Sequence, residues 1–222
     1  MKVSSHSYRQ ARAIFLTWHT TYIRPQLSIE QSALSIEHIV PRATFRKLTP
    51  QLDSDMHNFM LYPMRLNAKR GTLPMTEAIR IGHETQALGR ASGDSMAVHK
   101  AADLDRHCIT YRGHFVPSKK SRGKLARSVG YVMMAHPELV DVIHERVLDV
   151  DTLLWWHHTH PISPWEVALD SMIHSAQGRH NTLVTTPESI WDAVAPLNIT
   201  RPQLFREFRY DQHFADLDVL YS

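Results

Sequence analysis

Residues 36–71, IEHIVPRATFRKLTPQLDSDMHNFMLYPMRLNAKRG, confine the fold more tightly than any other stretch of the chain. An apolar run with β-branched residues and partial alternation, residues 33–40, closes on the adjacent pair Glu37-His38. On a regular strand Leu34, Ile36 and His38 share one face, and Ser35, Glu37 and Ile39 the other. Glu37 and His38 then point apart. For both to serve one site the strand must end or bend beside them, and Pro41 is placed to cause that. Residues 42–54 read as a loop and Asp55 as an N-cap or turn former. Residues 57–61 read as a short second strand. Residues 63–70 read as a helix with Pro63 in its first turn and Gly71 as its C-cap. Asn67 would project from that helix toward the end of the first strand.

These residue types suit one chemistry. A hard divalent cation takes oxygen ligands, which a carboxylate and an amide supply. An attacking water needs a base that is neutral near pH 7, and histidine supplies it. A metal-assisted phosphodiester hydrolase needs both together.

At this point a family likeness is visible. The stretch resembles the ββα-metal nucleases, the superfamily that includes the HNH enzymes, and most closely the bacterial endonuclease I family. The matching residues are Glu37-His38-Ile39-Val40-Pro41, Asp55-Met56-His57-Asn58, and Asn67 with Arg70. Two later segments continue it. Phe115, Pro117, Gly123, Ala126, Arg127 and Tyr131 match the first; Leu153, Leu154, Trp156, Pro161, Glu166, Ile173, Gln177, Gly178 and Asn181 match the second. The likeness spans roughly residues 33–181. The family order Q-G-N-R-N is here Gln177-Gly178-Arg179-His180-Asn181, so Arg179 is displaced from the pattern.

The resemblance implies an α+β fold, a ββα-metal nuclease core embedded in a mostly helical single domain. It implies a metal-dependent endonuclease acting on DNA, with RNA as a second substrate class, little sequence specificity, and 5′-phosphate and 3′-hydroxyl products. His38 is then the general base. Glu37 and Asn67 hold Mg²⁺, with Mn²⁺ or Ca²⁺ as alternative occupants. Asn58 and His57 orient the site from behind. Arg70 stabilises developing charge, ahead of Arg42, Arg46 and Arg65.

The rest of the chain adds less. Residues 7–24 carry apolar residues at helical spacing and end at Pro25. Residues 72–114 are the least informative, with a helix expected over 76–88. Lys119, Lys120, Arg122, Lys124 and Arg127 put five positive charges in nine residues ahead of an amphipathic helix. With Arg42 and Arg65 they are the expected nucleic-acid contacts. Residues 182–222 show no chemical motif and read as a C-terminal extension.

Composition sets outer bounds. With 222 residues, 43% of them hydrophobic, the chain can bury one substantial core. A net charge of +3 permits nucleic-acid binding without arguing for it. One cysteine, Cys108, excludes an internal disulfide framework and a cysteine-based zinc site. The first residues lack the apolar core of a secretory signal, and no run is long enough to span a membrane. The expectation is a cytoplasmic protein, restrained by a protein inhibitor, delivered to a target cell, or directed at foreign or host DNA by a phage or virus, with no membrane partner.

Three other readings stay open. One is a nucleic-acid-binding module that keeps the fold and has lost catalysis. Another is a zinc hydrolase using His157, His158 or His160, although adjacent histidines cannot share a helical face. The last is a metal-free ribonuclease, which would keep full activity in EDTA.

Overall fold

The computed structural model describes residues 6–22, 34–77, 97–99, 108–111 and 113–199. Among them the chain is mostly helical, with two small antiparallel sheets. The first helix, α1, spans Tyr8–Tyr22. It buries Ala11, Phe15 and His19, the face that the apolar spacing predicts.

Strand β1 (Leu34–His38) pairs antiparallel with β2 (Phe59–Pro63), placing His38 opposite Phe59 and Glu37 opposite Met60. Between them the expected loop is partly helical. Arg42–Phe45 form α2. Pro50–Ser54 and Met56–Asn58 form 3-10 turns. Pro41 starts α2 at φ −62°, the value its ring imposes. Phe45 and Leu52, both 0% exposed, pull the segment onto the core. The second strand begins two residues later than expected because Asp55 caps the turn over Met56–Asn58.

Helix α3 (Met64–Arg70) follows β2 without a linker. It stops at Gly71, whose φ of +49° is the left-handed conformation that glycine adopts at low cost. The Gly71 N–H donates to Asn67 O at 3.0 Å. The helix expected over 76–88 does not start where described: Met75 N donates to Val147 O and Thr76 N to Phe115 O, which is extended pairing. The remainder of that expectation lies outside the described residues. The second sheet comprises β3 (Ala97–His99), β4 (Cys108–Tyr111) and β5 (His114–Val116) in that order.

The central helix, α4 (Lys119–Ala135), is buried from Ser121 to Met133. It is therefore not amphipathic in the expected sense; neighbours surround it. Short α5 (Val140–Arg146) leads to α6 (Val150–Thr159), which packs along α4. Next come α7 (Pro164–Gln177), α8 (Thr182–Thr185) and α9 (Ile190–Val194). Two glycines allow the close contacts of α4. A Cβ on Gly130 would stand 2.5 Å from Leu183 Cδ1, and one on Gly123 would stand 2.8 Å from His160 Cβ.

Two apolar clusters result. The larger joins α2, α4, α5, α6, α8 and α9 around Trp156 and Phe45. The smaller joins α1, β1, β2 and α7 around Phe15, Phe59 and Ile173. Full burial of one such side chain stabilises the fold by about 1.5–3 kcal/mol. Leu183, Ile190 and Ala193 belong to the larger cluster, so residues 182–199 are part of the core. Among the described residues no helix is long and apolar enough to cross a membrane.

Candidate functional site

Strand β1 stays regular through His38, so its side chains alternate and the two candidate residues face different surroundings. Ile39 N donates to Asn58 O at 2.9 Å, which sets the ladder. In that register Ser35 and Glu37 exchange backbone bonds with β2, while the carbonyls of Ile36 and His38 face the other edge. Helix α3 supplies donors to that edge. Asn67 Nδ2 donates to Ile36 O at 3.0 Å and to Ser35 Oγ at 2.9 Å. One turn on, Arg70 Nη1 donates to His38 O at 2.8 Å and Nη2 to Ile39 O at 2.5 Å. Residues three apart on a helix thus satisfy carbonyls two apart on a strand.

Arg70 Nη1 also pairs with Glu37 Oε1. Both side chains are buried, Arg70 at 2% and Glu37 at 7% exposure. Burial raises the Glu37 pKa, and the Arg70 guanidinium offsets only part of that rise. The geometry leaves two oxygens. The Asn67 amide is oriented by giving its NH₂ to a carbonyl, so Oδ1 turns the other way. Among the described residues nothing donates to Asn67 Oδ1 or to Glu37 Oε2. One carboxylate and one amide oxygen form a donor set that suits a hard cation.

The His38 ring lies on the opposite side of β1. It packs among Phe59, Tyr8 and Phe45, with ring centroids 5.1, 5.6 and 5.9 Å away. Its Nε2 is 3.0 Å from Asp53 O. A carbonyl only accepts, so Nε2 carries the proton and Nδ1 holds the lone pair. Among the described residues nothing engages Nδ1. Burial lowers the His38 pKa, and the charges of Arg42 and Arg70 lower it further against the pull of Asp53. The imidazole is therefore neutral at pH 7. Arg42 pairs with both carboxylate oxygens of Asp53 and lies over the Tyr8 ring, 4.3 Å from its centre. Its side chain is 45% exposed.

Behind the strand pair, Asn58 is fully buried. Val40 N donates to Asn58 Oδ1 at 2.8 Å, and Asn58 Nδ2 donates to Val40 O at 3.1 Å. Those bonds fasten the chain after His38 to the start of β2. His57 Nε2 lies 3.1 Å from Arg179 O, and its ring lies 4.6 Å from that of Tyr131. Burial lowers the His57 pKa. Sequence reasoning missed the centre of this region. Asp55, 0% exposed, accepts from His57 N, Gln177 Nε2, Tyr131 OH and Arg179 Nη2 at 2.6–3.1 Å. The displaced Arg179 thus has a carboxylate partner. Only the turn-forming role of Asp55 was visible locally; its side-chain partners Tyr131, Gln177 and Arg179 lie 76 to 124 positions away.

The expected nucleic-acid contacts divide. Lys119 and Lys120 are exposed. The other three cations of the run turn inward. Arg122 pairs with Glu77 at 2.8 Å. Lys124 Nζ donates to Phe59 O at 3.0 Å, and burial brings its pKa down to about 8. Arg127 makes a two-point pair with Glu166, at 2.6 and 2.7 Å, and donates to His160 O. The Arg65 side chain lies outside the described residues. His157 Nε2 is 2.9 Å from Pro187 O, and the His158 ring lies beside Trp191. Among the described residues no three His, Cys, Asp or Glu side chains gather to hold a metal.

Among curated proteins none matches this sequence. A family model does: the one described as Endonuclease I aligns with residues 6–188. That span takes in α1, both strands of the first sheet, α3, Asp55 and Arg179. It covers most of the 222 residues, so the chain belongs to the endonuclease I family, a family of nucleases acting on nucleic acid.

Proposed function

We propose that the protein is a metal-dependent endonuclease that hydrolyses phosphodiester bonds in DNA, and in RNA as a second substrate, with a ββα-metal core built from β1, β2 and α3. One observation carries the reading: at the end of β1, His38 on one side has Nε2 held by a backbone carbonyl and Nδ1 open, and on the other side Glu37 and Asn67 leave two oxygens without donors among the described residues. Glu37 and Asn67 would hold Mg²⁺. Bound there, the ion supplies positive charge to the pentacovalent transition state and the leaving oxygen.

The chain's own groups do the rest. His38 Nδ1 takes a proton from the water whose oxygen attacks phosphorus, and the bond from phosphorus to the 3′ oxygen breaks. The 3′ oxygen takes a proton from solvent, leaving a 3′-hydroxyl and a 5′-phosphate. The Asp53 carbonyl keeps the ring in one tautomer, and the rings of Phe59, Tyr8 and Phe45 keep it in place. Arg70 pairs with Glu37 and ties the carbonyls of His38 and Ile39. Its guanidinium has little room for phosphate. Arg42, half-exposed beside His38, is the arginine placed to meet substrate charge.

Calorimetric titration of Mg²⁺ or Mn²⁺ into wild type and Glu37→Gln, with DNA and RNA cleavage followed in parallel, tests this. Binding and cleavage by wild type, both lost in Glu37→Gln, are expected. Wild type that cuts equally well in EDTA would remove the metal from the account.

A further inference from the structure

We infer that the strand flanking the scissile phosphate runs over a basic surface made by α1 and α2, with Arg9, Arg12, Arg46 and Lys47 as its phosphate contacts. The inference deepens the endonuclease reading and rests on it. Four observations support it. First, all four side chains are exposed. Second, among the described residues none of the four has an ion-pair partner. Third, no acidic residue occurs in 6–22 or in 42–52, so nothing on either element neutralises them.

The fourth observation is where the two elements meet. Arg42 of α2 lies 4.3 Å over the ring of Tyr8, at the start of α1, and that ring is 5.6 Å from His38. The contact joins both elements beside the imidazole. On α1, Trp18 lies on the flank covered by α7, with its ring 6.2 Å from that of Trp165. Arg9 and Arg12 fall on the opposite flank by helical spacing. On the other element Arg46 follows Arg42 by one turn, with Lys47 beside it. Arg42 is paired with Asp53; among the described residues the other four have no such pair. A polyanion is the partner of matching chemistry, and the phosphate at His38 fixes which polyanion.

The surface differs from the basic run of α4, which the sequence marks more loudly. There three of five cations are held by internal partners. Phosphate contacts release counterions, so each contact adds close to one unit to the slope of log K against log salt.

Binding of a short fluorescent DNA duplex over a range of KCl tests the inference, in a His38→Ala background that prevents cutting. Substituting Arg9, Arg12, Arg46 and Lys47 together by Gln should lower the slope by about 3 and weaken binding on the order of 100-fold. Lys119→Gln with Lys120→Gln should lower it by less than about 1. The pairs Arg9/Arg12 and Arg46/Lys47, changed separately, should each give about half of the loss. With His38 present, the quadruple variant should raise KM and leave kcat at saturating DNA unchanged. An unchanged slope in the quadruple variant and both pairs overturns the inference. So does loss of binding to anionic vesicles with DNA binding intact. If the wild type does not cut DNA yet the slope falls as stated, the surface stands and the catalytic reading falls.

Discussion

The chain has two runs of cations, and the fold treats them in opposite ways. On α4, Arg122, Lys124 and Arg127 are 2–8% exposed and committed to Glu77, Phe59 O and Glu166. On α1 and in the turn that ends α2, Arg9, Arg12, Arg46 and Lys47 are exposed. Linear charge density points to α4, yet only Lys119 and Lys120 of its five cations are exposed, while all four of the cations on the other side are. The reason is where each helix sits. The α4 helix runs through the middle of the larger core, so its long side chains must find partners inside. Helix α1 and the α2 turn cap the outside, so theirs are free to reach solvent.

Substitutions should separate the two runs sharply. Arg127→Met strands the Glu166 carboxylate in the core and should cost about 3–5 kcal/mol, read from urea unfolding midpoints. A loss under about 1 kcal/mol would mean that the pair is solvated and the contrast is false. The basic side also has a buried histidine to test. Burial brings His19 down to about 3, and among the described residues neither ring nitrogen has a partner. The unfolded chain then binds the extra proton first as the pH falls. Stability is complete above pH 6.5, the unfolded value, and is lost between there and about 3. By pH 4 the loss is on the order of 3 kcal/mol, and His19→Phe should flatten that slope. An equal slope in the variant would place the titration elsewhere.

Smaller effects sharpen the packing half of the contrast. Gly130→Ala drives a methyl against Leu183 and Ile190 and should cost about 1–3 kcal/mol, with the thermal midpoint as readout. Arg46→Gln, on the open side, should change stability by less than about 0.5 kcal/mol while it lowers the salt slope of DNA binding. A destabilised Arg46→Gln would show that this side chain, too, has an internal role.

The strand–strand–helix order from β1 to Gly71 was legible because each boundary has a local cause: Pro41, the Asp55 cap, the Gly71 turn. Whether Glu37 and His38 share a face was not. The strand stays regular to His38, so Glu37 meets Arg70 of α3 on one side while His38 meets the Asp53 carbonyl and the rings of Tyr8, Phe45 and Phe59 on the other. Asp53 lies 15 positions from His38, and nothing in its neighbours marks it. Asp55 was read as a turn residue because its cap is local; its bonds to Tyr131 and Arg179 are products of the tertiary fold. The inward turn of Arg122, Lys124 and Arg127 escaped for the same reason: their partners, Glu77, Phe59 O and Glu166, lie far off in the sequence.

Nicking of supercoiled plasmid by wild type and His38→Ala, each with Mg²⁺ and with EDTA, tests the central claim most directly. The account predicts cutting by wild type with Mg²⁺ alone and a rate about 10²–10⁴-fold lower in His38→Ala at an unchanged unfolding midpoint. Equal rates for the two proteins would contradict it, because His38 would then not be the base.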